Sequence, residues 1–271
     1  MRRRASSPTG EMPFLEHLEE LRWRIFYSAI AIAVGTVVGF LVVHYLGVME
    51  ILIRPVRPLL VGGELAYFSP ATPFFITLKL ALVGGIILAL PVVVYQIWAF
   101  LAPGLSEEER KVIVPSLYFG LVLFCAGVAM AYFFVLPLAL VFLSGFQQEF
   151  LVATIEVGEY LGFVMKLLLA FGAVFELPVV IMILSAMGLV TPQFLREKRR
   201  HAIVLFTVLA SLLTPGDIAS TFLMIAPMIL LYEGSIFLSV AIHRRRWGAE
   251  SAEPLTASEE PPPGAVEMEG R

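Results

Sequence analysis

The side chains best placed to do chemistry in this sequence are carboxylates. Glu16, Glu19 and Glu20 stand beside Arg22 and Arg24, and Glu107, Glu108 and Glu109 stand beside Arg110 and Lys111. Glu16 and Glu20 are four residues apart and share a helix face, and Glu20 is spaced to pair with Arg24. Taken alone, these residues make a solvated charged face. Ser106 followed by Glu109 also reads as a capping box, whose acids stabilise a helix start with no further purpose. The functional reading is recognition of a basic ligand, because a guanidinium pairs with a carboxylate bidentately and strongly. Glu176 is a different case. It lies in Phe171-Gly172-Ala173-Val174-Phe175-Glu176-Leu177-Pro178, deep in an apolar run. A carboxylate there marks either a functional site or a structural hydrogen bond that relieves the backbone freed by Pro178. Glu233 and Lys166 also fall inside apolar runs and are available as internal partners. Asp217, the only aspartate, sits in Thr214-Pro215-Gly216-Asp217, where a helix-capping role suffices.

Other chemistries lack their residues. Cys125 is the single cysteine, so no disulfide framework or thiolate cluster is expected. His17, His44, His201 and His243 are scattered, and neither an HExxH pair nor a GxxxxGK[ST] loop occurs. No convergent Ser/His or His/Asp set falls at membrane depth. No metal, cofactor, nucleic-acid partner or enzymatic activity is therefore expected.

The elements that must position the carboxylates follow from composition. Of 271 residues, 59% are hydrophobic and 15% charged, with a mean hydropathy of +0.87. Soluble domains carry about 45–50% apolar and about 25% charged residues, so a water-soluble or disordered chain is excluded. Charge-poor runs predict six transmembrane helices, at about 25–46, 73–100, 112–143, 159–189, 201–213 and 218–242. The third run is too long for one upright helix, which predicts a tilted or protruding helix bent at Pro137. The fifth is too short to cross about 30 Å of hydrocarbon, so the last two form a short hairpin in a thinned bilayer or one that stops below the far surface. Phe14, Leu18, Leu21 and Ile25 recur at helical spacing and predict an amphipathic helix lying in the interface and feeding into the first span. Residues 1–12 and the acidic, Pro-rich 244–271 read as disordered tails around a membrane domain at 13–243.

Fifteen Lys and Arg fall on the side that holds both termini and two, Arg54 and Arg57, on the other. The positive-inside rule then places both termini in the cytoplasm. Trp23, Trp98 and Trp247 fall at that same interface, as in an aromatic belt. Prolines at the span edges, Pro55, Pro91, Pro178 and Pro227 among them, suit kinked helices forming a concave wall, and the Gly84-Gly85 pair suits close helix approach. No internal repeat supports a two-fold transporter.

Four stretches in this order resemble the TatC family, the multi-spanning subunit of the twin-arginine protein translocase. They are His17-Leu18-Glu19-Glu20-Leu21-Arg22, Tyr95 to Leu105 with Glu109-Arg110, Phe171-Gly172 with Phe175-Glu176-Leu177-Pro178, and Leu213 to Asp217 with Pro227-Met228 and Tyr232-Glu233. The resemblance covers about residues 14–244. It implies an all-α, six-span concave membrane bundle that binds the consecutive arginines of signal peptides at its cytoplasmic face. Glu20 and Glu109 would meet the guanidiniums, with Phe100, Arg22 and Leu101 shaping the patch. Glu176 would polarise the inner surface, and Pro55, Pro91, Pro103 and Gly104 would be structural. Ser211, Thr214, Asp217, Thr221 and Glu233 would give polar contacts to TatA-like and TatB-like single-span partners. The resemblance further implies an oligomeric complex in a prokaryotic inner membrane that exports folded proteins on the proton-motive force. Thr221 stands where the family often has Gln, and Pro215-Gly216 where Pro-Pro is frequent. The alternative is a secondary transporter of small solutes, with Glu176, Lys166 and Glu233 around one midplane site.

Overall fold

The computed structural model describes residues 14–60, 62, 64–104, 106–145, 154–213 and 218–247, and the regular elements among them are helices. The first, α1 (Phe14–Tyr45), is unbroken for 32 residues. The amphipathic helix expected ahead of the first span runs into it without a break. The amphipathic stretch forms the first turns of α1, whose length of about 48 Å exceeds an apolar layer of about 30 Å. Hydroxyls inside the span bond back one turn, as Thr36 Oγ1 does to the Ile32 carbonyl at 2.8 Å.

A short helix, α2 (Val48–Ile53), and a 3₁₀ turn at Arg57–Leu59 follow α1. Then α3 (Thr72–Leu101) returns across the bundle, with Pro73 in its first turn and Pro91 inside it. α1 packs chiefly along α3. The seam depends on small residues. A Cβ on Gly35 would lie 2.5 Å from the Gly85 carbonyl oxygen, and one on Gly39 2.5 Å from that of Ala81. Gly85 is thus one half of the contact the Gly84-Gly85 pair suggested. The other half, Gly35-x-x-x-Gly39, is a small-x-x-x-small spacing that lets two backbones approach.

The long third run is one span of two helices, α4 (Glu107–Met130) and α5 (Leu136–Ser144), joined by a π turn at Ala131–Val135. Pro137, in the first turn of α5, has no N–H to offer one turn back, and the widened turn absorbs that defect. The next span breaks similarly into α6 (Val157–Phe175) and α7 (Leu177–Ala186), with Glu176 ending one helix and starting the other. α8 (Pro192–Glu197) is capped by Thr191, whose hydroxyl accepts from the Phe194 N–H at 3.2 Å. α9 (Arg199–Leu213) and α10 (Ile218–Trp247) are the last of the described helices.

Five helical stretches are long and apolar enough to cross a membrane: Glu16–Tyr45, Thr72–Gly104, Ile113–Ser144, Val157–Ala186 and Met224–Ala241. The 15-residue α9 spans only about 22 Å and is the short member of a six-helix bundle. The larger core gathers Val56, Leu80, Leu136, Leu161, Val164 and Phe171 with parts of α9 and α10. Two tyrosines tie α2 to it, Tyr132 donating to the Ile51 carbonyl at 2.6 Å and Tyr160 to that of Leu52 at 2.7 Å. A smaller core joins Val174, Ile181, Leu195, Phe206, Met228 and Ile236.

Candidate functional site

The α1–α3 seam brings the start of α1 against the end of α3. Arg24 donates from Nε to Glu20 Oε1 at 3.0 Å, and from Nη2 to the same oxygen. Its Nη1 reaches Gln96 Oε1 at 3.4 Å. The ring of His17 stacks on Phe100, with centroids 4.2 Å apart and planes 13° from parallel. The other oxygen of Glu20, Oε2, is buried and accepts no hydrogen bond among the described residues; His17 Nδ1 lies 3.5 Å from it. Trp98 Nε1 is likewise a buried donor with no partner there. The cluster thus holds a carboxylate with one oxygen engaged and one spare. A buried acceptor left unmet is costly, and a charged one more so.

Of the residues expected at this patch, Glu20 and Phe100 come together through His17. Leu101 ends α3, half-buried, and Pro103 and Gly104 form the exposed 3₁₀ turn that follows. Arg110 Nη2 donates to the Ala102 carbonyl at 2.9 Å and ties the first turn of α4 to that bend. Glu109 lies in that first turn, but its side chain is outside the described residues. Arg22 is exposed and stands apart from the Glu20 pair. Gln96 and His17 escaped the residue-by-residue reading. Their signal was spacing: His17, Glu20 and Arg24 lie on one face of α1, as Gln96 and Phe100 do on α3.

The other expected residues are dispersed. Glu176 Oε1 is buried and unpartnered among the described residues. Its Oε2 occupies the space a side chain would fill at Gly120 of α4, where a Cβ would lie 2.5 Å from it. Glu233 is half-exposed and pairs with Arg199, Nη2 to Oε2 at 2.6 Å. Lys166 is exposed and ten residues, about 15 Å of helix, from Glu176. Glu233 thus spends its charge on Arg199, which removes it from the solute site the transporter alternative needs. Ser211 is exposed on α9 and Thr221 half-buried on α10, while Thr214 and Asp217 lie outside the described residues. Pro55 is half-buried between α2 and the 3₁₀ turn, and Pro91 is exposed on α3. Among the described residues no three His, Cys, Asp or Glu side chains gather as metal ligands.

Residues 16–227 match the family model for TatC, described as Sec-independent protein translocase protein (TatC). The chain belongs to the TatC family. It is 41% identical over 237 residues to the Sec-independent protein translocase protein TatC of Aquifex aeolicus, covering 87% of this chain and 98% of that one. To the TatC of Escherichia coli it is 39% identical over 230 residues, covering 84% and 88%. The TatCy protein of Bacillus subtilis is 33% identical over 245 residues, covering 90% and 95%. A crystal structure described as the twin arginine translocase receptor TatC superposes with a TM-score of 0.76 at 40% identity, over 84% of this chain and all of that one. A second such structure, in the detergent DDM, gives 0.75 at 41% identity. TatC proteins are translocase components rather than enzymes. The helical membrane bundle and the multi-pass character of this chain accord with that family.

Proposed function

We propose that this TatC-family chain is the signal-peptide receptor and core subunit of a twin-arginine translocation complex. Both termini lie in the cytoplasm of a prokaryotic cell, and the consecutive arginines of a signal peptide bind where α1 meets α3. The observation that carries this reading is the spare Oε2 of Glu20, buried beside a guanidinium that already occupies Oε1. A ligand guanidinium takes Oε2, or displaces Arg24 onto Gln96 and takes both oxygens. Planar bidentate geometry favours Arg over Lys at such a carboxylate. Glu109 meets the second arginine from the first turn of α4, with Phe100, Leu101 and Arg22 around it. The apolar part of the peptide follows the membrane-facing wall. TatA-like and TatB-like single-span subunits contact the final hairpin through Ser211, Thr214, Asp217 and Thr221, while Glu233 stays paired with Arg199, and the assembly exports folded proteins on the proton-motive force.

The test is binding of a labelled Arg-Arg signal peptide to the detergent-purified protein, beside a Lys-Lys peptide and the Glu20→Ala and Glu109→Ala variants. Each change is expected to weaken binding tens-fold or more, since breaking a buried charged pair costs about 2–5 kcal/mol. Binding indifferent to the arginines and to both glutamates would sink the assignment.

A further inference from the structure

A second charged region lies at the junction of α8 and α9, well short of the basic end of α10. Two contacts fix its height on α10. The Tyr232 hydroxyl donates to the Leu195 carbonyl at 2.9 Å, and Arg199 pairs with Glu233. The end of α7 is fixed higher, where Ser185 hydrogen-bonds Ser239. The chain therefore rises with α7 to the level of Ser239 and turns at Gly188, which has a φ of +72°. It then descends through α8 before α9 begins. From Glu233 to Arg244, the first of three arginines near the end of α10, is eleven residues, about 16 Å of helix. That is about half of a 30 Å hydrocarbon layer.

Charge and exposed apolar surface meet at this level. Phe237, nearer the basic end of α10 than Glu233, is 79% exposed. Yet Arg196, Lys198, Arg199 and Arg200 cluster lower on the bundle, with Glu197 and Glu233 as the counter-charges among the described residues. Arg199 is spent on Glu233, Glu197 accepts from Gln193 at 3.3 Å, and Lys198 sits 5.8 Å over the Phe194 ring. Arg196, Arg200 and His201 are exposed. Cations at such depth require an anion and polar surroundings drawn in from the leaflet. The face below them supplies the rest of the match. Arg200, Val204, Val208 and Leu212 follow one another at four-residue spacing along α9, and the three apolar residues are 62%, 52% and 72% exposed. A cationic head above an apolar stripe has the shape of a phospholipid.

We infer that the α8–α9 corner binds an anionic phospholipid. The phosphate is held by Arg196 and Arg200 beside His201, and an acyl chain lies along Val204, Val208 and Leu212. The bound lipid brings the headgroup layer down to the short α9. This inference rests on the membrane-spanning fold and not on the signal-peptide reading.

Native mass spectrometry of the full chain in detergent tests it, with phosphatidylglycerol and phosphatidylcholine of identical acyl chains as probes and inorganic phosphate as competitor. Phosphatidylglycerol is expected to be retained in preference. The Arg196→Gln/Arg200→Gln double variant is expected to weaken it about thirtyfold, from about fivefold per cation near a membrane surface. The Arg244→Gln/Arg245→Gln variant is expected to leave it within a few-fold. Val204→Ser/Val208→Ser keeps the charges and is expected to weaken lipid binding through the stripe, which keeps the proposal testable should the arginine variant fail to fold. Equal retention of the two lipids, equal loss in both arginine variants, or displacement by millimolar inorganic phosphate would each overturn the proposal.

Discussion

Two Arg–Glu pairs of similar chemistry sit in this molecule in different settings. Glu20 and Arg24 lie one turn apart on α1, with 22% of each side chain exposed. Glu233 and Arg199 join two helices and are 45% and 47% exposed. In the first pair Arg24 spends two donors on one carboxylate oxygen and leaves the other buried, with no hydrogen bond among the described residues and His17 Nδ1 3.5 Å away. In the second no oxygen of Glu233 is buried without a partner, so the pair is a strap on the α9–α10 hairpin. An ion pair becomes a binding site when its surroundings leave it incomplete, and an exposed pair that water completes has little left to offer a ligand.

The largest expected effect is at the incomplete pair. Glu20→Gln keeps the size and removes the charge, so Arg-Arg peptide affinity is expected to fall tens-fold while the melting temperature moves little, as fluorescence anisotropy and a thermal melt would show. A stability loss as large as the affinity loss would make Glu20 a structural strap like Glu233. Next is Gly39→Val. The added side chain meets the Ala81 carbonyl, and overpacking of this kind costs about 1–3 kcal/mol. Because the seam sets the start of α1 against Gln96 and Phe100, the melting temperature and peptide affinity are expected to fall together. Val34→Ala, on the exposed face of α1, is the control expected to change neither.

Much of this was legible in residue order. The apolar runs set the helices because a spanning backbone must satisfy its own hydrogen bonds. The break at Glu176-Leu177-Pro178 and the short α9 follow from proline chemistry and length. What stayed hidden depended on contacts between distant segments. Gly35-x-x-x-Gly39 was present in the sequence, but its partner across the seam was not. Glu233 looked like an intramembrane acid because its run is apolar, while its cation, Arg199, lies 34 residues away. That α8 descends beside α10, and so places its cations low, follows from the Tyr232–Leu195 hydrogen bond, which no periodicity encodes. The uninterrupted α1 shows the converse: its amphipathic start and its passage into the span were both legible in residue order.

A smaller effect is expected at Arg24. If its guanidinium occupies the place of a ligand arginine, Arg24→Gln frees Oε1 and should tighten Arg-Arg peptide binding several-fold, since a charge-assisted hydrogen bond is worth about 1.5–3 kcal/mol and part of that is recovered by the ligand. In the Glu20→Gln background the same change should do nothing. Weaker binding in the single variant would mean that Arg24 holds the carboxylate in place and does not compete for it.

The smallest effect belongs to the strap. An exposed ion pair contributes about 0.2–1 kcal/mol and is screened by salt. A double-mutant cycle of Arg199→Gln and Glu233→Gln is expected to give a coupling in that range from chemical denaturation, shrinking as salt rises, with Arg-Arg peptide affinity unchanged throughout. Coupling well above that range would mean that the α8–α9 corner buries the pair once lipid surrounds it. The same cycle with phosphatidylglycerol present then separates the two causes, because bound lipid that excludes water from Glu233 raises the coupling, while an unshielded pair leaves it where detergent set it.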